Sequence, residues 1–396
     1  MTEASESIIY SSFHTRYERG ISGGNEVIEK SIFVAGGAGN VGMWAINYLA
    51  RMPGVDKIIV ADINQDMADR VINSIAVSSS IHGFYPKLEF KRVDLSDKDG
   101  TTKVLGETQP TVILNTSTML ANYVPAERRL IAEKKFPVTS RLAGHTIAKD
   151  LYLTMKLMEA VKASGVASKV VNVSFPDHTN CVLGKIGLAP TVGAGTIDLT
   201  ANGIRVAVSR RLRVPVRNVS VTLIVHHSIR AMFAAEYVKK FPAYLKIRVG
   251  EEDVTEKFKK DEMLWEGAQN GGGKADANML AASSGAQNAW AVLNNTGEIR
   301  HAPGIKGLPG GYPVRLADEV DLALPPEVSL RDALKINEEG MKYDGIERFE
   351  DDGTVVFTKE TVRLMDELLG MKWTRMRVSE VDKMTQELIS AYKKLA

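Results

Sequence analysis

The chain has 396 residues, of which 44% are hydrophobic and 25% are charged, so the composition excludes a disordered chain, a collagen-like repeat and a coiled-coil array. Its 50 Lys and Arg residues nearly balance its 48 Asp and Glu residues, and a formal net charge of +2 offers no basic surface for nucleic acid or an anionic membrane. One cysteine, no C-x-x-C pair and no long apolar run predict a cytoplasmic protein without disulfides, a metal site or a membrane span.

The polar segment at 1–30 has the composition of an arm that extends from a folded domain. From residue 31 onward, short apolar runs typical of buried strands alternate with segments of helical spacing. The predicted elements here are strands at 31–35, 57–61, 88–93 and 111–114 and a helix at 43–52. Strands that alternate with helices indicate right-handed crossovers and a parallel sheet, so we predict an α/β, doubly wound domain at 31–176.

The second half of the chain mixes helical and strand patterns, and we predict a mixed α+β domain at 177–396 with the active site in the cleft between the two domains. The predicted elements from residue 149 onward are helices at 149–164, 200–212 and 277–293, strands at 169–173 and 219–225, and a helix that begins near 379. Between 294 and 378 the prolines favour a loop-rich stretch.

A glycine pattern follows the first predicted strand directly. Gly37, Gly39 and Gly42 form G-x-G-x-x-G, with Asn40 and Val41 between the last two glycines. In a dinucleotide-binding domain the first glycine permits a tight turn and the second lets the backbone approach a pyrophosphate. The third lets the helix pack on the strand, so that its N-terminus faces the anion. The pattern predicts a nucleotide site.

The ends of the second and fourth predicted strands carry polar residues that fit the same site. Asp62 stands about 20 residues after the glycines, where a carboxylate accepts hydrogen bonds from ribose hydroxyls and repels a 2′-phosphate, which favours NAD over NADP. Asn115, Thr116 and Ser117 follow the fourth strand, and we expect them to line the nicotinamide half of the cofactor. An ordinary strand-end turn there, and an FAD or S-adenosylmethionine site, are the alternatives.

The stretch VVNVSFPDHTNCVLGKIGLAPTVGAGTIDLTANGIRVAVSRRL at 170–212 resembles the lactate/malate dehydrogenase superfamily. The segments at 214–228, 274–293 and 307–316 resemble the strand that delivers the catalytic histidine of that family and the helix and strand of its substrate domain. The resemblance implies a Rossmann domain followed by an α+β substrate domain, assembled as a homodimer or homotetramer. It also implies hydride transfer between NAD and a secondary alcohol or ketone.

In that family a histidine accepts the substrate hydroxyl proton and an aspartate orients the histidine. By position the resemblance assigns these roles to His227 and Asp198, which predicts a contact between the two side chains. Neighbouring side chains on a strand point to opposite faces, so only one of His226 and His227 can enter the site, and a purely structural pair of histidines is the alternative. His145 and His178 are ambiguous, since both lie near segments that should approach the nicotinamide, and we expect His301 at the surface.

The family arginine that clamps a substrate carboxylate is replaced by Ala201, which alters the expected substrate. The remaining candidates for substrate contact are Asn202, Arg205 and, in the loop at 119–146, Arg141. A hydroxy acid held from another direction, or a polyol or sugar derivative, is therefore the expected substrate class.

Other functions remain open at this point. The segment at 94–125 is similar to saccharopine-type dehydrogenases, and loss of the arginine also fits a catalytically silent NAD(H)-binding or sensing protein. The NAD-dependent glycosidases related to malate dehydrogenase hold a metal through a cysteine, but Cys181 does not fall at that position.

Overall fold

The computed structural model of the chain describes residues 29–121, 142–232, 234–270 and 277–394. Almost all of the predicted arm at 1–30, and Arg141, lie outside these residues. No helix in the four ranges is both long enough and apolar enough to cross a membrane.

The first half of the chain forms a six-stranded sheet in which every pair is parallel. Its strands are β1 (Ser31–Ala35), β2 (Lys57–Asp62), β3 (Lys87–Arg92), β4 (Val112–Asn115), β5 (Lys169–Asn172) and β6 (Val192–Gly193). The order β3-β2-β1-β4-β5-β6 is that of a doubly wound nucleotide-binding sheet, which confirms the predicted fold class. All five side chains of β1 are buried because helices cover both faces of the sheet.

Among the described residues, five helices accompany this sheet, namely α1 (Asn40–Leu49), α2 (Gln65–Ile81), α3 (Lys98–Thr108), α4 (Ile147–Ser164) and α5 (Pro176–Lys185). Helix α1 begins three residues before its predicted start because the glycine turn itself supplies the N-cap, Gly39. A 3₁₀ turn at Ala143–Thr146 leads directly into α4.

The next part of the chain forms an antiparallel sheet with the order β10-β11-β7-β8-β9, and β12 pairs with β11. Its strands are β7 (Val219–Val225), β8 (Ala243–Val249), β9 (Glu252–Asp253), β10 (Glu298–Pro303), β11 (Gly311–Leu316) and β12 (Asp321–Leu322). The helices of this part are α6 (Thr196–Leu212), α7 (Ala235–Val238), α8 (Lys260–Asn270) and α9 (Ala277–Leu293). Strand β7 and helix α9 have the predicted bounds.

The predicted loop-rich stretch at 294–378 contains helices and strands, including a small antiparallel sheet, so that expectation is wrong, whereas the helix predicted to begin near 379 is present. The elements are α10 (Leu330–Met341), a 3₁₀ turn at Lys342–Asp344, β13 (Ile346–Phe349), β14 (Val355–Phe357), α11 (Lys359–Leu369), β15 (Arg375–Met376) and α12 (Val381–Lys394). The Thr385 hydroxyl of α12 donates to the carbonyl oxygen of Ala148 on α4 at 2.9 Å. Buried Leu388 and Tyr392 share one core with Phe33 of β1, so the C-terminal segment packs onto the nucleotide-binding sheet.

Candidate active site

The strand order reverses between β1 and β4, and the carboxyl ends of these strands form the crevice where doubly wound sheets bind ligands. The glycine turn lies at this point. Gly36 has a φ of +75°, and the N–H groups of Gly36 and Gly37 both donate to the carbonyl oxygen of Ala61, at 2.9 and 3.1 Å. A Cβ on Gly42 would lie 2.3 Å from the Gly36 carbonyl oxygen, so only glycine lets α1 pack this closely on the turn.

The N-terminus of α1 offers donors for an anion. No side chain caps it at Gly39, and the first turn, which begins with Asn40 and Val41, carries no acidic residue. The first N–H groups of a helix lack partners within the helix, and its dipole favours negative charge there. This end of α1 therefore has the character of a phosphate site.

Asp62, at the end of β2, is fixed beside the glycine turn. Its carboxylate accepts the Ala38 N–H and the Asn64 N–H, each at 3.0 Å. An ionised carboxylate has about four acceptor positions, so two contacts leave capacity for ribose hydroxyls. The position agrees with the predicted role of Asp62, and the ribose contact stays a prediction.

The predicted cofactor-lining residues after β4 make their hydrogen bonds mainly to other groups of the protein. The Asn115 side-chain amide donates to Asn172 at 3.0 Å and to Thr154 at 3.1 Å, and its oxygen accepts the Ser117 N–H and hydroxyl at 3.1 and 2.6 Å. The Thr116 hydroxyl donates to the carbonyl oxygen at the end of β1 at 2.8 Å. Protein groups already satisfy the hydrogen bonds of the Asn115 side chain, so its role is to shape this loop. The loop itself lies in the crevice.

One histidine enters this region from the turn after β5. Phe175 has a φ of +51°, and Pro176 at the first position of α5 starts the helix, which places His178 in its first turn. The Ser174 hydroxyl donates to the carbonyl oxygen of Ser117, so this turn is tied to the loop after β4.

Two more histidines follow β7. Strand β7 ends at Val225, and His226 is the N-cap of a 3₁₀ turn at His227–Ala231. The alternation of faces along a strand therefore stops before the histidines, and the two rings join one cluster with their centroids 6.0 Å apart. The prediction that only one of them enters the site is wrong for this reason.

Asp344 joins the three histidines. Its Oδ2 atom accepts from His178 Nε2 at 3.0 Å and from His227 Nδ1 at 2.5 Å, and it lies 3.8 Å from His226 Nδ1. The side chains of His178, His226 and Asp344 are fully buried, whereas that of His227 is 19% exposed. The edge-on Phe175 ring, with its centroid 5.1 Å from that of His227, covers part of the cluster.

The charges of the cluster follow from these contacts. Burial opposes ionisation of Asp344, yet His227 and His178 together hold the pKa of that carboxyl well below its ordinary value. Burial also opposes protonation of His227, but the Asp344 carboxylate outweighs it and raises the pKa of His227. Burial lowers the pKa of His226 far below its ordinary value, so that ring is neutral. The cluster thus contains an anionic carboxylate hydrogen-bonded to a histidine that reaches solvent.

The predicted contact between His227 and Asp198 is wrong. Within the described residues, the Asp198 carboxylate binds Arg300 at 2.9 Å, the Ser284 hydroxyl at 3.0 Å and the Asn202 amide at 3.0 Å. A permanently charged guanidinium on β10 neutralises this aspartate, and Asp344 occupies the Nδ1 side of the His227 ring.

The predicted substrate residues Asn202 and Arg205 belong to the Asp198 network. The Arg205 guanidinium donates to the Val219 carbonyl oxygen at 2.9 Å and to the Asn202 side-chain oxygen at 3.1 Å. These contacts tie α6 to β7 and give no support to substrate binding by either side chain. Arg141, the third candidate, lies outside the described residues.

His301 is not the surface residue that the sequence suggested. Its ring Nε2 accepts the Leu223 N–H at 3.1 Å, across from β10 to β7. Burial lowers its pKa to about 4, so the ring is neutral and structural at ordinary pH.

Sequence reasoning missed Asp344 and left the role of His178 undefined. His178 carried a usable signal, because it follows a proline turn at the end of a parallel strand, where side chains meet a ligand crevice. Asp344 carried no such signal, since it is 117 positions from His227 in a stretch predicted to be loop.

No protein-family model matches the sequence, and no curated protein matches it. Solved structures do match. A malate dehydrogenase from Picrophilus torridus in its apo form is 19% identical with a TM-score of 0.55, over 80% of this chain and 96% of that one. A lactate dehydrogenase from Eimeria maxima with NADH and oxamate is 13% identical with a TM-score of 0.56, over 82% and 93%. A malate dehydrogenase from Plasmodium falciparum is also 13% identical with a TM-score of 0.56, over 92% and 99%.

These likenesses show the fold. The chain has the architecture of a dehydrogenase with a Rossmann domain and a second, mixed domain. More narrowly, that architecture is the one found in malate and lactate dehydrogenases, which confirms at the level of fold the resemblance drawn from 170–228.

Proposed function

We propose that the protein is an NAD-dependent oxidoreductase, a distant member of the lactate/malate dehydrogenase superfamily, that transfers a hydride between the nicotinamide and a secondary alcohol or its ketone. The observation that carries the proposal is the bond between His227 Nδ1 and the buried Asp344 carboxylate, at 2.5 Å. In this bond a buried carboxylate orients the histidine, as the resemblance implied. The carboxylate belongs to Asp344, however, and not to Asp198.

The contact sets the proton chemistry of His227. Because the Asp344 carboxylate accepts a hydrogen bond at Nδ1, the neutral ring carries its proton there and presents an Nε2 lone pair. In alcohol oxidation Nε2 accepts the hydroxyl proton as the carbinol hydride departs, and in ketone reduction the imidazolium returns that proton. Asp344 stabilises the imidazolium that forms in between.

The cofactor fits the glycine turn and the adjacent strand ends. NAD supplies the hydride acceptor when bound. The turn at Gly36, Gly37 and Gly39 and the N-terminus of α1 would hold its pyrophosphate, and Asp62 would accept from its adenosine ribose. The Asp62 carboxylate disfavours a 2′-phosphate, which supports NAD over NADP.

The substrate pocket departs from that of a simple 2-hydroxy acid dehydrogenase. Ala201 stands where the resemblance calls for the carboxylate-clamping arginine, and it is 1% exposed. Arg230 lies on the same 3₁₀ turn as His227, and its charge opposes protonation of His227. A hydroxy acid whose carboxylate approaches Arg230, or an uncharged polyol derivative, fits these residues.

The test begins with cofactor binding, because it needs no substrate. Fluorescence titration should show tighter binding of NADH than of NADPH. A screen of NAD reduction across hydroxy acids, polyols and sugar acids then identifies a substrate, and H227Q should lower its kcat at least about 100-fold with NADH affinity unchanged. H301Q is the matched control. Turnover by H227Q equal to that of the wild type would refute the role of His227.

A catalytically silent NAD(H)-binding protein is the second candidate. The observation that favours it is the use of Asn202 and Arg205 as structural ties, which removes two predicted substrate contacts. Tight NADH binding without turnover of any class in the screen would support it. Adding amino acids with keto acids to the screen tests the saccharopine or opine-type alternative in the same experiment.

A further inference from the structure

The cluster at the active site contains more polar groups than an acid–base pair uses. Among the described residues, three buried polar atoms of the cluster have no hydrogen-bond partner, namely His178 Nδ1, His226 Nε2 and Asp344 Oδ1, and Oδ1 of the neighbouring Asp177 has none either. Buried polar atoms in folded proteins are almost always satisfied, and an orphaned one costs about 1–3 kcal/mol. The protein's own groups therefore leave several polar atoms in and beside this cluster unsatisfied, which makes the cluster a candidate for a bound ligand.

The donor set identifies the chemistry of that group. The side chains of His178, His226, His227 and Asp344 offer three imidazole nitrogens and one carboxylate oxygen, and these ligand atoms all lie within 4.8 Å of one another. Imidazole nitrogen favours zinc and related divalent transition metals, whereas magnesium and calcium prefer sites made of oxygen atoms alone.

We propose that this cluster is a binding site for one divalent transition-metal ion of the zinc class, held by His178, His226, His227 and Asp344. The proposal revises the expectation of no metal site, which rested on cysteine spacing alone. It goes beyond the proposed function, because the ion can bind whether or not the protein oxidises an alcohol.

The charge of the surroundings suits a dication. Asp344 supplies one negative charge, and Asp177, next to His178 in the first turn of α5, is a second fully buried carboxyl in the same place. Burying an unpaired dication is prohibitive, but two adjacent carboxylates balance its charge.

The backbone around the cluster holds the rings in place. Helix α10 passes so close to His226 that a Cβ on Gly340 would lie 2.5 Å from the His226 Cβ. The Ser228 hydroxyl donates to the Gly340 carbonyl oxygen at 2.7 Å, and the Ser228 N–H donates to His226 Nδ1 at 3.2 Å. These contacts fix the position of the His226 ring in the cluster.

An ion in the cluster would replace the hydrogen bonds that Asp344 now accepts from His178 and His227, because a ring nitrogen cannot hold a proton and a metal together. The loaded and metal-free proteins therefore differ in how His227 is held. Turnover should be compared in both states once a substrate is known.

The direct test measures metal binding by the full chain after removal of metals with a chelator. Calorimetric titration with Zn²⁺ should give one equivalent per chain. H178Q, H226Q and D344N should each bind at least about 100-fold more weakly, because even the loss of an outer partner costs 10- to 100-fold. H301Q and D198N, a half-buried histidine and a buried carboxylate outside the cluster, should bind like the wild type. Circular dichroism establishes that each variant is folded.

X-ray absorption spectroscopy of the zinc-loaded wild type identifies the metal ligands directly, so it tests the proposal even if the cluster variants do not fold. It should show imidazole scattering from at least two histidines, whereas a shell of oxygen ligands alone would overturn the proposal. So would absence of Zn²⁺ binding, or equal affinity of D344N and the wild type. Binding without NAD-dependent turnover refutes only the proposed function, and turnover without binding refutes only the metal site.

Discussion

The close approach of α1 to the glycine turn makes Gly42 the sharpest probe of the cofactor site. In G42A the new Cβ would lie 2.3 Å from the Gly36 carbonyl oxygen and 2.7 Å from the Gly37 Cα. Both neighbours are backbone atoms, so no flexible side chain can move aside. The helix must withdraw from the turn by about 1 Å to reach ordinary contact, and the donors at its N-terminus withdraw with it.

The size of the effect follows from that displacement. Overpacking costs about 1–3 kcal/mol, and replacing glycine by alanine within a helix returns about 0.5–1 kcal/mol. We therefore expect a net loss of about 1–2 kcal/mol in the free energy of unfolding. A hydrogen bond to a charged group contributes about 1.5–3 kcal/mol, so losing one between α1 and the pyrophosphate should weaken NADH binding about 10- to 100-fold.

The assay is fluorescence titration with NADH, alongside urea unfolding of each protein. G106A is the matched control, because Gly106 also lies in a helix, α3, and a Cβ there would meet no atom within 4 Å. It should keep wild-type affinity and gain up to about 1 kcal/mol of stability. Wild-type affinity in G42A would refute both the packing argument and the placement of the pyrophosphate.

Three further outcomes follow from the structure. D344N should lower kcat at least about 100-fold for the substrate identified by the screen, whereas D198N should change kcat less than about threefold; equal losses would contradict the reassigned aspartate. Because the pKa of half-buried His301 is about 4 against an ordinary 6.5, the unfolded chain binds more protons between these values, and stability falls as the pH falls. Urea unfolding should show a loss of up to about 2 kcal/mol from about pH 7.5 to about pH 5, and the loss should be smaller in H301Q. G340A should destabilise the protein by about 1–3 kcal/mol despite the helix preference of alanine, since its Cβ meets the Cβ of His226; unchanged urea unfolding would contradict this packing.

The features that sequence predicted well depend on local patterns. Strand β1 at Ser31–Ala35, strand β7 at Val219–Val225 and helix α9 at Ala277–Leu293 have their predicted bounds, because apolar runs and helical spacing are set by neighbours in the chain. The glycine turn was found for the same reason. Its spacing encodes a strand, a turn and a helix within 12 residues.

The features that sequence missed depend on contacts between distant segments. Helix α10 did have a local signal, since Ser329 caps it by accepting the Asp332 N–H, but the two prolines at 325 and 326 favoured a loop reading of the whole stretch. Asp344, the partner of His227, had no local sequence signal of this kind. Nothing in the local sequence distinguishes a buried Asp344 from the Asp198 that the resemblance supplied, because the tertiary contacts decide it: Asp198 pairs with Arg300, and Asp344 pairs with His227.

The contact between Asp344 and His227 gives the C-terminal segment a part in the proposed site. With Asp198 neutralised by Arg300, the charge on His227 depends on Asp344, and the backbone of Asp344 is held by the first domain. A Cβ on Gly144, in the 3₁₀ turn before α4, would lie 2.7 Å from the Asp344 carbonyl oxygen. The same α4 packs against α12, so the elements that bury the end of the chain also fix the carboxylate. The proposed site is therefore not confined to the crevice of the nucleotide-binding sheet, because the contact between His227 and Asp344 forms only when the chain beyond residue 330 is folded onto both domains.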